Sequence, residues 1–268
     1  MSTILRLLTL ACALAGSINA QLAPVNLGSA LPFAVLGGST VTNTGTTLLY
    51  GSLGVSPGSA ITGNPTVLGG GSTEAGNPVA AQAQLDVTTA YLDAASRPAT
   101  PLTGNLGERT LTPGVYSYAT SADLTGTLLL DAQGVPGSVW IFQTGSTLIT
   151  ASASNVTVIR GGLACNVFWQ VGSSATLGSG TTFIGNVLAL ESISVGTGAT
   201  NNGGLYARTG AVTLQSNIIT HLPCSEPPPD PPLSSTTSST ASTATSTSST
   251  TSTTTPATDS STTSSTTS

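Results

Sequence analysis

The sequence predicts a mainly β fold in which short strands are wound into a solenoid. A similar apolar pattern recurs three times within residues 165–214, and its last apolar positions, Leu177, Val195 and Leu214, lie 18 and 19 residues apart. Glycines separate the short apolar runs. A sandwich repeats by hairpins, whereas a solenoid repeats by whole coils. Each coil should therefore hold about three short parallel strands and lie about 4.8 Å from the next coil.

Residues 1–20 are typical of a secretory signal peptide. Arg6 precedes a run rich in Leu and Ala, and small residues close the segment. The run is shorter than the roughly 20 residues with which a helix spans a bilayer. We therefore expect a secreted, extracellular protein that has no membrane partner.

Residues 21–223 form the predicted β-solenoid domain, and about 200 residues can bury one sizeable core. Short apolar runs alternate there with Gly, Asn, Ser and Thr, which is typical of short strands and turns. Before the three coils of residues 165–214 we expect strands within residues 26–42, 54–63, 114–116, 128–131, 139–143 and 156–159.

One helix is expected at about residues 77–97, where the sequence lacks glycine and is rich in alanine. Asn77 can cap its first turn, and Pro78 suits the first helical position. Pro98 and Pro101 would end it. The face expected to pack on the strands consists of residues at spacings of three and four, namely Ala81, Leu85, Thr88, Leu92 and Ala95.

Residues 224–268 form a predicted disordered tail, which is Pro-rich at first and then dominated by Ser and Thr. A secreted tract of this composition is typical of an O-glycosylated stalk, and an unmodified flexible tail is the alternative. A stalk would suit a protein associated with the cell wall.

Two cysteines, Cys165 and Cys224, remain once Cys12 leaves with the signal peptide. In an oxidising compartment we expect them to form one disulfide, and two separate buried thiols are the alternative. Asn155 begins an N-glycosylation triplet, Asn-Val-Thr.

Charged residues make up 6% of the chain, none of them is lysine, and the formal net charge is −5. This balance argues against nucleic acid as a partner. Zinc needs several His or Cys ligands and calcium needs clustered carboxylates, so we expect no metal and no cofactor. Acid–base catalysis needs grouped ionisable side chains. We expect no enzyme, because the candidates are scattered singly: Asp123, Asp131, Glu191, Arg160 and Arg208.

His221 and the two tryptophans are expected to be structural. The only potential partners near His221 in the sequence are Cys224 and Glu226, which is too few for a metal or catalytic site. Trp140 and Trp169 lie in strongly apolar runs, where packing in the core is favoured over a carbohydrate-binding platform.

Alternation along the strands divides the coils into a buried half and an exposed half. The residues expected in the core are Ala175, Leu177, Ile193, Val195, Val212 and Leu214. The candidate binding residues on the outside are Ser174, Thr176, Ser192, Ser194, Ala211 and Thr213, and the same parity adds Thr40, Thr42 and Thr147. Stacked together, they would form a flat, uncharged field that suits a flat partner. A solvated surface without a partner is the alternative.

Ordered motifs run through most of the domain. They are NLGSA and FAVL after residue 25, GVSPGSAITG from residue 54, LTPGVY from residue 111, VWIFQ from residue 139, NVFWQVGSSATLG from residue 166 and GLYARTGAVTL from residue 204. Together they resemble the large microbial ice-binding protein family, over nearly all of residues 22–222.

The resemblance implies a right-handed, discontinuous β-solenoid of triangular cross-section with one long α-helix packed alongside. It also implies a secreted protein that binds the surface of ice crystals through one flat face, inhibits ice growth and recrystallisation, and catalyses no reaction. We expect a monomer. Two other hypotheses remain open from the sequence: an adhesin that binds a glycan and uses the tail as its stalk, and a polysaccharide-cleaving enzyme on the same architecture.

Overall fold

A computed structural model describes residues 21–221 and Cys224. The expected signal peptide, and the expected tail apart from Cys224, lie outside the described residues, so both boundaries stay predictions. The described residues form 24 strands and one α-helix. None of their helices is long and apolar enough to cross a membrane.

The strands are short and are numbered in chain order. Those before the helix are β1 (Phe33–Gly37), β2 (Thr40–Thr44), β3 (Leu48–Tyr50), β4 (Ser52–Val55), β5 (Ala60–Thr62), β6 (Thr66–Leu68) and β7 (Thr73–Ala75). Helix α1 spans Pro78–Ser96 and is followed by β8 (Thr100–Pro101), β9 (Arg109–Leu111), β10 (Gly114–Tyr118), β11 (Ala122–Leu124), β12 (Thr127–Asp131), β13 (Trp140–Thr144), β14 (Leu148–Thr150) and β15 (Asn155–Ile159). The last strands are β16 (Val167–Val171), β17 (Ala175–Leu177), β18 (Thr182–Ile184), β19 (Asn186–Ala189), β20 (Ile193–Val195), β21 (Thr200–Asn202), β22 (Leu205–Ala207), β23 (Val212–Gln215) and β24 (Ile218–Thr220).

The strands form three parallel sheets around one apolar core. Sheet A has nine strands in the order β7-β4-β1-β22-β19-β16-β13-β10-β8. Sheet B has seven, β11-β14-β17-β20-β23-β2-β5, and sheet C has eight, β6-β3-β24-β21-β18-β15-β12-β9. Successive strands of one coil lie in different sheets, so three sheets form the sides of each coil. The predicted β-solenoid of triangular cross-section is confirmed, and its right-handed winding stays a prediction.

The solenoid is discontinuous, because the first coil lies against the last one. Strand β1 pairs with β22, β2 with β23 and β3 with β24, all in parallel. On their other edges β1, β2 and β3 pair with β4, β5 and β6. The first coil, β1 to β3, therefore lies inside the stack, the strands up to β7 complete one end, and the strands after α1 form the rest.

Aromatic side chains fill the core in a continuous stack. The rings of Tyr116, Phe142, Trp169 and Phe183 follow one another with centroid distances of 5.7, 4.1 and 4.9 Å. Trp169 and Trp140 are fully buried. The Trp169 indole N–H donates to the carbonyl of Ile184 at 2.9 Å, which satisfies its polar group inside the core. The expectation that the tryptophans are core residues is confirmed.

Buried asparagines join neighbouring coils at the corners. The Asn43 side-chain amide donates to the carbonyls of Gly45 and Gly63, both at 2.9 Å. Asn217 donates likewise to the carbonyls of Gly196 and Ala199, at 2.8 and 3.0 Å. Each amide thus donates to two backbone carbonyls in the turns at these corners. Gly63 itself has a φ of +75°, which favours glycine at that corner.

Helix α1 lies along sheet A. The Asn77 side chain accepts from Ala80 N at 3.0 Å, so the predicted cap is present. At the other end the Gln143 side chain, which belongs to β13, donates to the carbonyls of Ala94 and Arg97 at 2.8 and 2.7 Å. A side chain of sheet A therefore donates to backbone carbonyls at the carboxyl end of α1, and the sheet also covers the apolar side of the helix.

The predicted contact face of α1 is wrong. Leu85 and Leu92 are 62% and 58% exposed. Most of the large buried side chains of this contact come from sheet A, including Ile141, Phe168 and Tyr206, and α1 contributes one large aromatic ring, that of Tyr91. Because the side chains of sheet A occupy the space under the helix, the helix contributes mostly small residues, which are Ala80, Ala83, Val87, Ala90 and Ala94.

Cys165 and Cys224 form a disulfide, with Cα atoms 5.6 Å apart, so the predicted pairing is confirmed. Cys165 lies in the short 3-10 turn Ala164–Asn166, immediately before β16, which is an internal strand of sheet A. The bond therefore attaches Cys224, beyond the last coil, to an earlier coil of the stack.

Candidate functional site

The nine candidate binding residues all lie on the sheet B side of the coils, five within its strands and four immediately before them, and none of the nine is buried. Thr176, Ser194, Thr213 and Thr42 are partners in the registers of β17, β20, β23 and β2. They form a central column, and the six neighbours predicted to point inward on these strands are buried to 1% exposure or less. The predicted parity of the strands is therefore confirmed. A second line, the corner column, lies two residues earlier along the chain in each coil. It consists of Thr40, the first residue of β2, and of the residues immediately before β14, β17, β20 and β23, which are Thr147, Ser174, Ser192 and Ala211.

The structure extends the central column beyond the predicted residues. Thr62 follows Thr42 on β5. At the other end Ile149 and Asp123 are in register with Thr176. The same alternation places these three residues on the outside, so they could have been predicted from the sequence. Ile149 is 43% exposed, and it and Asp123 end the run of small hydroxyl residues.

Three hydroxyls of the corner column, those of Thr147, Ser174 and Ser192, form hydrogen bonds within the protein. Ser174 Oγ accepts from Ser192 N at 3.2 Å, and Ser192 Oγ accepts from Ala211 N at 3.2 Å. Each serine thereby joins its coil to the next one. Ser174 Oγ also lies 3.4 Å from Glu191 Oε2, to which it donates, and Thr147 pairs with Ser121 at 2.8 Å. The corner column therefore holds coils together as well as bordering the face.

The central column is different, because its side chains are directed to solvent. Thr176 and Ser194 are exposed and Thr42 and Thr213 are half-buried. The contact between Thr42 Oγ1 and Thr213 Oγ1, at 3.3 Å, joins two of these hydroxyls. Thr is stiff about χ1, so its methyl and hydroxyl are positioned before any partner arrives. Little side-chain entropy would be lost on binding.

The arginines of the described residues contact groups away from sheet B. Arg208 lies 4.6 Å from the ring centroid of Tyr91 on α1. Arg160 forms an ion pair with Asp131, and its guanidinium holds the pKa of that carboxyl below its usual range. Arg97 pairs with Asp93 at 2.7 Å. The central column, apart from Asp123 at its end, is therefore uncharged.

Ionisable groups do not converge on a catalytic site within residues 21–221. His221 is 5% exposed, and burial lowers its pKa. Its Nε2 lies 3.4 Å from the hydroxyl of Tyr206, whose pKa burial raises. Apart from this contact with each other, neither side chain hydrogen-bonds to a further ionisable side chain among the described residues. In the same residues no group of three His, Cys, Asp or Glu side chains could hold a metal ion.

The fold and sheet B define a class of protein: a parallel β-solenoid with one broad face of mostly short, uncharged side chains. A family model described as Ice-binding-like matches residues 35–220. This chain belongs to that family.

Individual relatives agree over most of the domain. An ice-binding protein of Nostoc sp. (strain HG1) is 52% identical over 204 residues, which cover 75% of this chain and 76% of that protein. The crystal structure of an ice-binding protein from an Antarctic biological consortium is 43% identical, with a TM-score of 0.72, and the match covers 81% of this chain and 96% of the other. The crystal structure of an ice-binding protein from the Antarctic ascomycete Antarctomyces psychrotrophicus is 39% identical, with a TM-score of 0.72. That match covers 75% of this chain and 100% of the other.

Proposed function

We propose that this protein binds ice crystals through sheet B and thereby inhibits ice growth and recrystallisation. The observation that carries the proposal is the central column, in which Thr176, Ser194, Thr213, Thr42 and Thr62 lie in register on adjacent strands. Membership of the ice-binding-like family supports it. The proposal includes no catalytic step.

Binding would depend on shape and on ordered polar groups. Neighbouring strands of a sheet lie about 4.8 Å apart, so the column presents hydroxyls and methyls at regular intervals. Long charged side chains would move through this layer and keep water disordered. A bound protein forces ice to grow as a curved front between anchored molecules, and curvature lowers the local freezing point. Adsorption alone is therefore sufficient for the activity.

The proposal places the mature protein outside the cell as a monomer, where extracellular ice forms. The expected signal peptide at residues 1–20 supports secretion, and the expected Ser/Thr-rich tail would suit association with the cell wall. Nucleic acid and membrane are not proposed as partners, since the chain is acidic and has no lysine.

A bulky substitution on sheet B tests the proposal. Thr213→Tyr places a large ring in the central column, whereas Thr200→Tyr makes the same change at another half-buried outward threonine, on sheet C. We expect Thr213→Tyr to reduce thermal hysteresis severalfold at equal concentration and Thr200→Tyr to leave it unchanged. Circular dichroism should show that both variants fold.

Two results would overturn the proposal. If the unsubstituted chain shows no thermal hysteresis and no inhibition of recrystallisation at high concentration, ice is not its partner. If both tyrosine variants keep full activity, or only Thr200→Tyr loses it, sheet B is not the binding face. Retention on a glycan array would point instead to an adhesin.

A further inference from the structure

Sheet C carries the Asn155-Val156-Thr157 triplet on β15 in a defined orientation. Val156 is 1% exposed and contributes to the core. Because side chains alternate along a strand, Asn155 and Thr157 both point away from the core. Both are half-buried between neighbouring strands rather than enclosed. The acceptor amide and the hydroxyl that the triplet requires therefore lie on the same outward side.

The surroundings of Asn155 leave room above the sheet. Its register partners are Thr127 on β12 and Thr182 on β18, both with short side chains. The coil is held by its backbone, since Asn155 N donates to the Gly126 carbonyl at 2.9 Å. A substituent on the Asn155 amide nitrogen could project to solvent without breaking this bond.

An open groove begins on the neighbouring strand. It is lined by residues of β18, β21 and β24, among them Thr182, Ile184, Thr200 and Ile218. Ile218 is 44% exposed, so the groove includes a large apolar side chain that is accessible to solvent. The groove thus combines apolar walls with hydroxyls, and it starts beside Asn155.

We propose that Asn155 carries an N-linked glycan, and that the first sugars of this glycan lie over the groove on sheet C. The inference rests on the proposed secretion, because the donor is a lipid diphosphate-linked oligosaccharide of the secretory pathway. The Asn155 amide nitrogen forms a bond to the anomeric carbon of N-acetylglucosamine. The bond from that carbon to the diphosphate oxygen breaks, and the diphosphate leaves with the amide proton.

Sugar chemistry matches the groove. A pyranose ring has an apolar face of C–H groups and a rim of hydroxyls, so it can pack against Ile184 and Ile218 while it hydrogen-bonds to threonine hydroxyls such as that of Thr200. Strand β24 is three strands from β15, about 14 Å at about 4.8 Å per strand. A branched glycan core spans that distance. The sugars would cover exposed apolar surface on sheet C, and sheet B, a different side of the coil, would stay free.

Occupancy is measured on the full chain secreted from a eukaryotic host. Peptide:N-glycosidase treatment in heavy-oxygen water should convert Asn155 to labelled aspartate in most molecules. Thr157→Val should abolish the modification, and Thr157→Ser, which keeps the triplet, should retain it. If secreted protein carries no glycan at Asn155, the proposal is wrong. If no protein reaches the medium, the proposed secretion is wrong, and so is an inference that needs it.

Coverage of the groove can be measured with a single side-chain amine, because the chain contains no lysine and acylation of the introduced residue can be read on its own peptide. Thr200→Lys places one side-chain amine in the groove, and Thr62→Lys places one on sheet B as a control. Each is combined with an intact triplet or with Thr157→Val. We expect the glycan to slow acylation of the groove amine severalfold and to leave the sheet B amine unaffected. Equal rates at the groove amine would refute coverage.

Thermal hysteresis provides an independent comparison. The glycosylated chain and its Thr157→Val variant should have the same hysteresis, because the glycan lies away from sheet B. A glycan that lowers the activity severalfold would contradict its placement over sheet C. This comparison needs an active chain, whereas occupancy and acylation are read without ice, so they test the glycan even if sheet B does not bind ice.

Discussion

Thr42 and Thr213 are 171 residues apart in the sequence, yet their hydroxyls lie 3.3 Å from each other on adjacent strands of sheet B. The contact joins the first coil of the chain to the last one. Because the central column crosses this junction, the proposed binding face is continuous only when the two coils are docked. The ends of the domain thus contribute directly to the face.

Ser194 interrupts the threonines of the central column, so Ser194→Thr should strengthen the binding of ice. The added methyl stiffens χ1 and matches Thr176 and Thr213 on either side. Burial of one such group contributes about 0.8 kcal/mol, or up to roughly fourfold in affinity. Ice-affinity partitioning and hysteresis at fixed concentration would measure the gain. Asn202→Thr, an exposed change on sheet C, is the control, and an equal gain there would contradict the assignment.

Ser192→Ala should lower stability more than activity. Ser192 Oγ accepts from Ala211 N, and its loss leaves that N–H without its side-chain partner, at a cost of about 0.5–1.5 kcal/mol. Urea unfolding would measure this change. Ser194→Ala is the matched control, because its hydroxyl points to solvent: we expect stability within about 0.5 kcal/mol of the parent and weaker hysteresis. The reverse pattern would mean that the two columns have exchanged roles.

Removal of the disulfide should destabilise the solenoid without abolishing its activity in the cold. Cys165 and Cys224 are separated by 59 residues in the sequence, and a cross-link of this kind stabilises a fold by about 2–4 kcal/mol. The double variant Cys165→Ser, Cys224→Ser should unfold at lower urea concentration, and the parent with a reductant should behave in the same way. A parent whose stability is insensitive to reductant would show that the bond contributes little.

Stability should fall as the pH decreases through about 6.5, the ordinary pKa of histidine. Burial lowers the pKa of His221, so the folded state favours the neutral ring. Below the unfolded pKa the unfolded chain binds the proton more readily, and stability is lost until the pH passes the folded pKa. Since the chain has one histidine, His221→Gln should flatten the dependence of the urea midpoint between pH 5.5 and 7.5. If the urea midpoint of His221→Gln depends on pH as strongly as that of the parent, other groups cause the pH dependence.

The sequence was most informative where one repeat could be compared with the next. Alternation within residues 165–214 predicted the buried Leu177 and the exposed Thr176 because both follow from strand geometry alone. It did not distinguish the two columns. Whether a serine hydroxyl such as that of Ser192 faces ice or binds the next coil depends on the position of a backbone N–H that only the stacked structure defines.

The two other gaps are long-range. The α1 sequence has small apolar residues on both sides, and the large side chains of sheet A, such as Phe168 and Tyr206, select the side with Ala83 and Ala90. The pairing of β1 with β22 cannot be predicted from neighbouring residues either, since all the remaining coils lie between these two strands in the sequence. Packing across the fold decides both features.

The placement of the first coil on the last one makes this topology a circular permutation of an uninterrupted solenoid. A chain that began after α1 at β8, ran to β24 and continued into β1 through β7 would wind from one end of the stack to the other in spatial order. In the natural order, α1 instead carries the chain from β7 at one edge of sheet A to β8 at the opposite edge. A permuted gene, with a linker from residue 221 to residue 21 and new termini in place of the α1 crossing, should therefore retain all seven strands of sheet B in the same order.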